Sequence, residues 1–246
     1  MSGDEAGRDL TGTVVAVTGA TAGIGRATAR TLVQHGARVA LLGRRGSRLA
    51  ELVEELGDES VVTVSGDVGD PDVNHRLVAA AVDRFGRLDS LVANAGIGAY
   101  GGIMDLDDAE IAAMTTTNFL GTVWAIRAVV PVMREHGGGD VVVISSVAGL
   151  RGGATEAVYA GTKFAQVGLA GSIDRELRAE GIRVSTICPA AVSTEFAIGA
   201  GRSEGDAWLQ DVLTPEDVAA TVVAVLRQPR RLRTQLWALR SMSEES

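Results

Sequence analysis

Six short runs of branched aliphatic residues recur along this chain, and each is followed by a turn and a segment with helical periodicity. The runs are Val14 to Val17, Val39 to Leu42, Val61 to Val64, Leu88 to Ala93, Val141 to Ile144 and Val184 to Cys188. The runs at Val14, Val39 and Val141 are apolar throughout rather than alternating, which is the pattern of strands covered on both faces. Strand and helix alternating in this way predict a doubly wound α/β fold, a mainly parallel sheet with helices on both faces and right-handed crossovers. No linker, repeat or low-complexity block interrupts the rhythm. A chain of 246 residues can bury a sizeable core, so one domain is expected over 1–246, with its core at about 11–240.

The helix ends carry their own signals. The segment from Thr18 to Gly25 turns into a helix running to about His35, and Gly36 suits its C-terminal cap. A second helix spans Arg48 to Leu56, ahead of Gly57. Asp70 and Pro71 cap a third, on which Val73, Leu77, Val78, Ala81, Val82 and Phe85 share a face. A long helix is expected over roughly Asp107 to Arg134, another opening near Glu156, and a last one at Thr214 to Asp217, where the residues suit a capping box. Gln235 to Leu239 reads as a final edge strand, and Ser241 to Ser246 as a fraying end. Residues 189–213 break the alternation. Rich in Gly, Ser and Ala and placed after a strand's carboxyl end, they read as a mobile lid.

Charge and composition exclude several functions. The formal net charge is −8 and there is no clustered basic stripe, so nucleic acid is not an expected partner. The basic run from Arg227 to Arg233 reads as a solvated turn. His35, His75 and His136 lack metal-ligand spacing, and no metal is expected. Cys188 is the only cysteine, which suits a reducing cytosol and a cytoplasmic location. Met1 to Leu10 is polar, without the apolar stretch of a signal peptide. The longest apolar helix candidate, Met114 to Met133, holds Asn118, Arg127 and Pro131, and so reads as core-packed rather than membrane-spanning.

Two stretches carry chemistry. Gly19, Gly23 and Gly25 lie between the first strand and the first helix, with Thr21, Ala22 and Ile24 among them. Glycines there permit a tight turn and close approach of backbone amides to a pyrophosphate, which the helix N-terminus then favours. Dinucleotide binding is the expectation. At the end of the second strand, Gly43, Arg44 and Arg45 stand where an acidic residue would accept ribose hydroxyls. Two guanidiniums and no carboxylate suit a 2′-phosphate, hence NADP(H) rather than NAD(H). Asp67 and Val68, ending the third strand, lie where an adenine can rest. The second stretch runs from Val141 to Lys163. Its strand ends in Ser145 and Ser146, and its helix carries Tyr159 and Lys163 four residues apart on one face. An ammonium near a phenol favours the phenolate, and a serine from the strand end can meet the same point in space.

Taken together these residues resemble the short-chain dehydrogenases/reductases of the compact one-domain type. The resemblance rests on Thr18-Gly-x-x-x-Gly-Ile-Gly25, Asp67-Val68, Asn94-Ala95-Gly96, Asn118 within a long helix, Ser146, and Tyr159-x-x-x-Lys163, in the family's order and spacing over roughly 13–194. It implies a Rossmann-like, seven-stranded sheet and a nicotinamide cofactor. It further implies Tyr159 as proton donor or acceptor, Ser146 orienting the substrate oxygen, Lys163 binding the nicotinamide ribose and lowering the tyrosine pKa, and Asn118 holding a water in a proton relay. Pro189, Val192 and Thr194 would flank the nicotinamide. Ala190 stands where the family has glycine, and Ala93 where it often has a second asparagine. The implied reaction is hydride transfer between the cofactor and a small alcohol or carbonyl substrate, by a homotetramer or homodimer. A cofactor-binding regulator without turnover would be expected to lose the tyrosine or the lysine, and both are present. The substrate-facing stretches, Ile97 to Tyr100, Leu150 to Thr155 and Ala191 to Trp208, do not name a substrate.

Overall fold

The computed structural model describes residues 7–244. The expected polar start over Met1 to Leu10 and the fraying end over Ser241 to Ser246 extend into 1–6 and 245–246, outside the described residues. The elements are β1 (Val14–Thr18), α1 (Gly23–Gln34), β2 (Arg38–Gly43), α2 (Gly46–Leu56), β3 (Val61–Ser65), α3 (Pro71–Phe85), β4 (Ser90–Ala93), α4 (Asp108–Met114), α5 (Gly121–Glu135), β5 (Gly139–Ile144), α6 (Ala157–Leu177), β6 (Ile182–Pro189), α7 (Pro215–Leu226) and β7 (Leu236–Leu239).

The strands form one seven-stranded sheet in the order β3-β2-β1-β4-β5-β6-β7. Every strand pair is parallel. Alternate residues of a strand enter opposite cores. Val14, Ala16, Val141 and Val143 pack with α3, α5 and α6 through Leu77, Val129 and Leu177. Val15, Val17, Val142 and Ile144 pack with α1, α2 and α7 through Leu32, Leu52 and Val222. This two-sided burial is why β1, β2 and β5 read as unbroken apolar runs. The chain reverses its direction of winding between β1 and β4, and the crevice above their carboxyl ends is where such sheets bind ligands.

Three expectations are modified. The long helix over 107–134 is not continuous α-helix: α4 passes through a π-helical turn, Thr115–Leu120, into α5. The stretch at 189–213 is structured. Val192 bridges Leu213, Ala207–Gln210 forms a short 3₁₀ turn, and Trp208 is half-exposed. Residues 241–244 are held down as well, because the Glu244 carboxylate accepts the amides of Ala191 (3.1 Å) and Ser241 (3.1 Å).

The basic run also differs from a solvated turn. Asp140, buried at the start of β5, pairs with Arg183 (2.6 Å), Arg8 (2.7 Å) and Arg230 (3.0 Å). Arg233 reaches the buried Asp174 at 3.5 Å. A carboxylate taken out of water needs such partners. The arginines after α7 therefore clamp the sheet end opposite the crevice.

Candidate active site

One cleft of about 680 Å³ runs along the carboxyl ends of the strands. Its nucleotide half is built by the loop from β1 to α1. Gly19 (φ +68°) and Gly23 (φ +47°) adopt left-handed backbone that side chains disfavour. A Cβ on Gly25 would lie 2.3 Å from the Gly19 carbonyl oxygen, so the third glycine is a matter of packing. Helix α1 begins at Ala22 in extended backbone, with no side chain capping its amides and no acidic residue in its first turn. Uncapped amides and a positive dipole facing a cleft suit an anion, and so fit a pyrophosphate.

The Thr18 hydroxyl accepts the amides of Asn94 (3.1 Å) and Ala95 (3.0 Å). The Asn94 side-chain amide returns bonds to the carbonyls of Thr18 (2.9 Å) and Gly19 (3.2 Å). The ends of β1 and β4 are thereby locked together, with Gly96 facing Lys163. Thr21, Ala22, Ile24, Asp67, Val68, Pro189, Val192 and Thr194 all line the same cleft.

The arginines at the end of β2 are placed differently from one another. Arg44 lines the cleft with an exposed side chain. Arg45 lies over the glycine loop, 3.3 Å from the Thr21 hydroxyl, and pairs with Glu195 at 2.8 Å. Arg48, one turn into α2, pairs with the same Glu195 oxygen at 2.5 Å and reaches the Thr21 carbonyl. Both guanidiniums hold the Glu195 carboxyl below its usual range. Sequence reasoning missed Arg48 and Glu195; nothing local marks a partner 147 residues away.

In the other half of the cleft, Ser146 follows β5 in extended backbone, and its hydroxyl accepts the Ala148 amide at 3.1 Å. Its neighbour Ser145 faces the other way and donates to the Lys163 carbonyl at 3.0 Å, fastening β5 to α6. Tyr159 is buried between the rings of Tyr100 (5.7 Å) and Phe196 (5.8 Å). Burial pushes its phenol up and Tyr100 adds to this, while the Ser146 hydroxyl and the Arg202 charge pull it down. The lysine does not govern this balance in the chain by itself, because its Nζ stands 5.7 Å from the Tyr159 ring centre. Burial pushes Lys163 itself down, to about 8. Its ammonium donates to the Ile144 carbonyl (3.1 Å) and to Gln166 Oε1 (3.0 Å).

Asn118 lies in the π-turn, fully buried. Its side chain pairs with the backbone of Ile97, accepting the amide (2.8 Å) and donating to the carbonyl (2.9 Å), and donates to Thr162 Oγ1 (3.0 Å). Its own carbonyl accepts from Thr122 Oγ1 (2.7 Å) and Gln166 Nε2 (2.8 Å). The Gln166 side chain lies between Lys163 and the Asn118 carbonyl, bonded to both. Gln166 follows Lys163 by three residues on one helix face. Cys188 is buried beside Lys163, with its thiol pushed up by burial. Among the described residues no cluster of potential ligands suits a metal, and no helix is long and apolar enough to cross a membrane.

The short chain dehydrogenase family matches residues 13–205, and the chain belongs to that family of oxidoreductases. An uncharacterized oxidoreductase of Staphylococcus saprophyticus is 32% identical over 226 residues, covering 90% of this chain and 94% of the relative. Among solved structures, the closed form of a serine dehydrogenase complexed with NADP+ superposes with a TM-score of 0.89 at 30% identity, over 95% of this chain and 97% of that one. An alcohol dehydrogenase from the archaeon Thermococcus sibiricus, complexed with 5-hydroxy-NADP, gives 0.86 at 28% identity, over 95% and 98%.

Proposed function

We propose that this oxidoreductase transfers a hydride between NADP(H) and a secondary alcohol or carbonyl compound, with Tyr159 as the general acid and base. The observation that carries the reading is the meeting of Ser146, Tyr159 and Lys163 in one cleft with an uncapped helix N-terminus. Two similar structures are titled as dehydrogenases of alcohol and of serine, each complexed with an NADP compound. Both are named for hydroxyl-bearing substrates, which supports an alcohol/carbonyl pair here.

The cofactor, when bound, supplies or accepts the hydride. The amides opening α1 and the loop from Gly19 to Gly25 hold its pyrophosphate. Asp67 and Val68 border the adenine, while Asn94 to Gly96, Pro189, Val192 and Thr194 wall the nicotinamide end. In reduction the Ser146 hydroxyl donates to the substrate carbonyl oxygen and the Tyr159 phenol delivers the proton; in oxidation the phenolate removes it. Lys163 binds a ribose and holds positive charge near the phenol. Asn118 anchors the Ile97 backbone and, through Gln166, closes the polar chain behind Lys163. Proton transfer by a positioned group contributes roughly 10²–10⁴ in rate.

Arg44 and Arg45 at the end of β2 favour a 2′-phosphate, and Arg48 adds a third charge. Assembly into a homotetramer or homodimer is supported by α6, where Phe164 is exposed and a Cβ on Gly161 or Gly168 would meet nothing. Ala165, Leu169 and Ser172 would share in the contact.

The test follows nicotinamide absorbance with a panel of carbonyl compounds and alcohols, using NADPH, NADH and their oxidised forms. Tyr159→Phe should lower turnover at least about 100-fold while cofactor binding stays nearly intact. Wild-type turnover in that variant, in a chemistry-limited step, would remove Tyr159 from the mechanism. Cofactor binding without turnover of any compound would favour the regulatory alternative.

A further inference from the structure

Arg202 is one of the charged residues of the cleft, with Arg151 and Glu156, that the proposed reaction leaves without a role. It stands in the segment between β6 and α7 and lines the cleft on its catalytic side. Its guanidinium lies over the rings of Phe196 (5.7 Å) and Trp208 (5.3 Å). The same Phe196 ring packs on Tyr159, so the cation sits one aromatic ring away from the reacting phenol. Its charge pulls down the pKa of both Tyr159 and Tyr100, which places it within their field.

The backbone holds this arginine in place. The Ala197 carbonyl, on a residue with φ +60°, accepts the amides of Ala200 (2.9 Å) and Arg202 (3.0 Å). The Gly199 amide closes the loop onto the Arg202 carbonyl at 2.9 Å. A Cβ on Gly201 would come within 2.6 Å of the Tyr100 Cβ, so the loop is pressed against the wall of the cleft. Nη1 of Arg202 donates to the Val192 carbonyl at 3.2 Å and the guanidinium also bonds the Tyr100 hydroxyl, which leaves the remaining donors of a five-donor fork for another acceptor.

Its charge is unbalanced. Arg45 and Arg48 share the carboxylate of Glu195 at the other end of the cleft, but no described carboxylate pairs with Arg202. The carboxylate on this side, Glu156, accepts the Gly153 amide instead, at 2.6 Å. A half-buried guanidinium held between two rings has lost part of its hydration, and an anion restores the balance best.

We infer that Arg202 is the anchor for a carboxylate on the substrate, so that the enzyme acts on oxo acids or the corresponding hydroxy acids. The carboxylate lies a few carbon atoms from the carbonyl held at Ser146 and Tyr159. This rests on the proposed reaction for its catalytic end. An aliphatic stem against Phe196 and a charged end on Arg202 would fix which carbon faces the cofactor.

Two measurements test it. In the first, kcat/KM is compared for acetoacetate and levulinate, each against its methyl ester, with wild type, Arg202→Met and Arg202→Lys. The wild type should favour at least one acid over its ester by about tenfold or more, mostly through KM. Arg202→Met should bring that ratio close to one, and Arg202→Lys should restore part of it. If every ester is used as well as its acid, or Arg202→Met lowers acid and ester by the same factor, Arg202 only braces the loop and the inference fails.

The second measurement needs no turnover. Trp208 stacks on Arg202, so its fluorescence should respond saturably to the acids, roughly tenfold more weakly to the esters, and lose the difference in Arg202→Met. No difference between acid and ester in the wild type overturns the inference. Saturable acid binding without turnover of any carbonyl compound would instead overturn the proposed reaction and leave the carboxylate site standing.

Discussion

Replacing Gln166 by leucine tests how the site keeps Lys163 charged. Gln166 is completely buried, and its Oε1 is one of two acceptors of the Lys163 ammonium, at 3.0 Å, beside the Ile144 carbonyl at 3.1 Å. Burial has already pushed Lys163 down to about 8. A hydrogen bond to a charged group is worth about 1.5–3 kcal/mol, and about 1.4 kcal/mol moves a pKa by one unit. The acceptor stabilises the charged form, so its loss lowers the pKa by roughly one to two units. Leucine fills most of the same volume, and the Asn118 carbonyl keeps its bond from Thr122. The other titratable groups facing Lys163 are Tyr159 on its own helix and Cys188 on β6, whose thiol is pushed up.

The assay is the pH profile of kcat/KM for the cofactor, which reports groups in the free enzyme. In the wild type the alkaline limb should fall as Lys163 loses its proton, near 8. In Gln166→Leu the limb should move to lower pH by roughly one to two units. Gln166→Glu should move it the other way, because a carboxylate beside the ammonium favours the charged form. A folded leucine variant with an unmoved limb would refute the argument, as would a glutamate variant that shifts downward.

Three further outcomes follow from the geometry. Glu195→Gln releases Arg45 and Arg48, so KM for NADPH should fall a few-fold with little change for NADH; both side chains are well exposed, which keeps the effect small. Arg44→Ala and Arg45→Ala, measured as the NADPH/NADH ratio of kcat/KM, should each reduce the preference, and a wild type using both cofactors equally would contradict it. The depressed pKa of Lys163 means that the unfolded chain binds more protons between about 8 and 10.5, so this group raises the stability of the cofactor-free protein as pH rises through that window, by about 3 kcal/mol in all. Denaturant midpoints should show the rise up to about pH 10, where the buried Tyr159 begins to oppose it, and Lys163→Met should flatten it.

The sheet was legible in the sequence because a strand buried on both faces has to be apolar at successive positions. Val141 to Ile144 serves two cores at once, and no amphipathic surface element shares that pattern. The glycine loop and the pair Tyr159/Lys163 were legible for a similar reason, since their function depends on local spacing. What escaped detection lies in contacts between distant segments and in a change of helix register. The π-turn at Thr115–Leu120 falls inside a run whose composition reads as ordinary helix, yet it sets where Asn118 and Thr122 point relative to α6.

The sequence reading passed over Gln166, whose two ends meet Lys163 and the Asn118 carbonyl, 48 residues away. The i, i+3 spacing from Lys163 was the available signal. A buried glutamine must satisfy both ends of its amide, and a lysine three residues before it is an obvious candidate for one of them. Arg48, Glu195 and Arg202 left no such trace. Read alone, Arg48 is a charge at a helix start, and Glu195 and Arg202 are charges in a loop. The fold brings the segment after β6 across the cleft, and only then does Glu195 face two arginines while Arg202 pairs with no carboxylate among the described residues. Charge on such a crossing segment acquires chemical meaning from what lies beneath it, and here that is a dinucleotide cleft at one end and a buried tyrosine at the other.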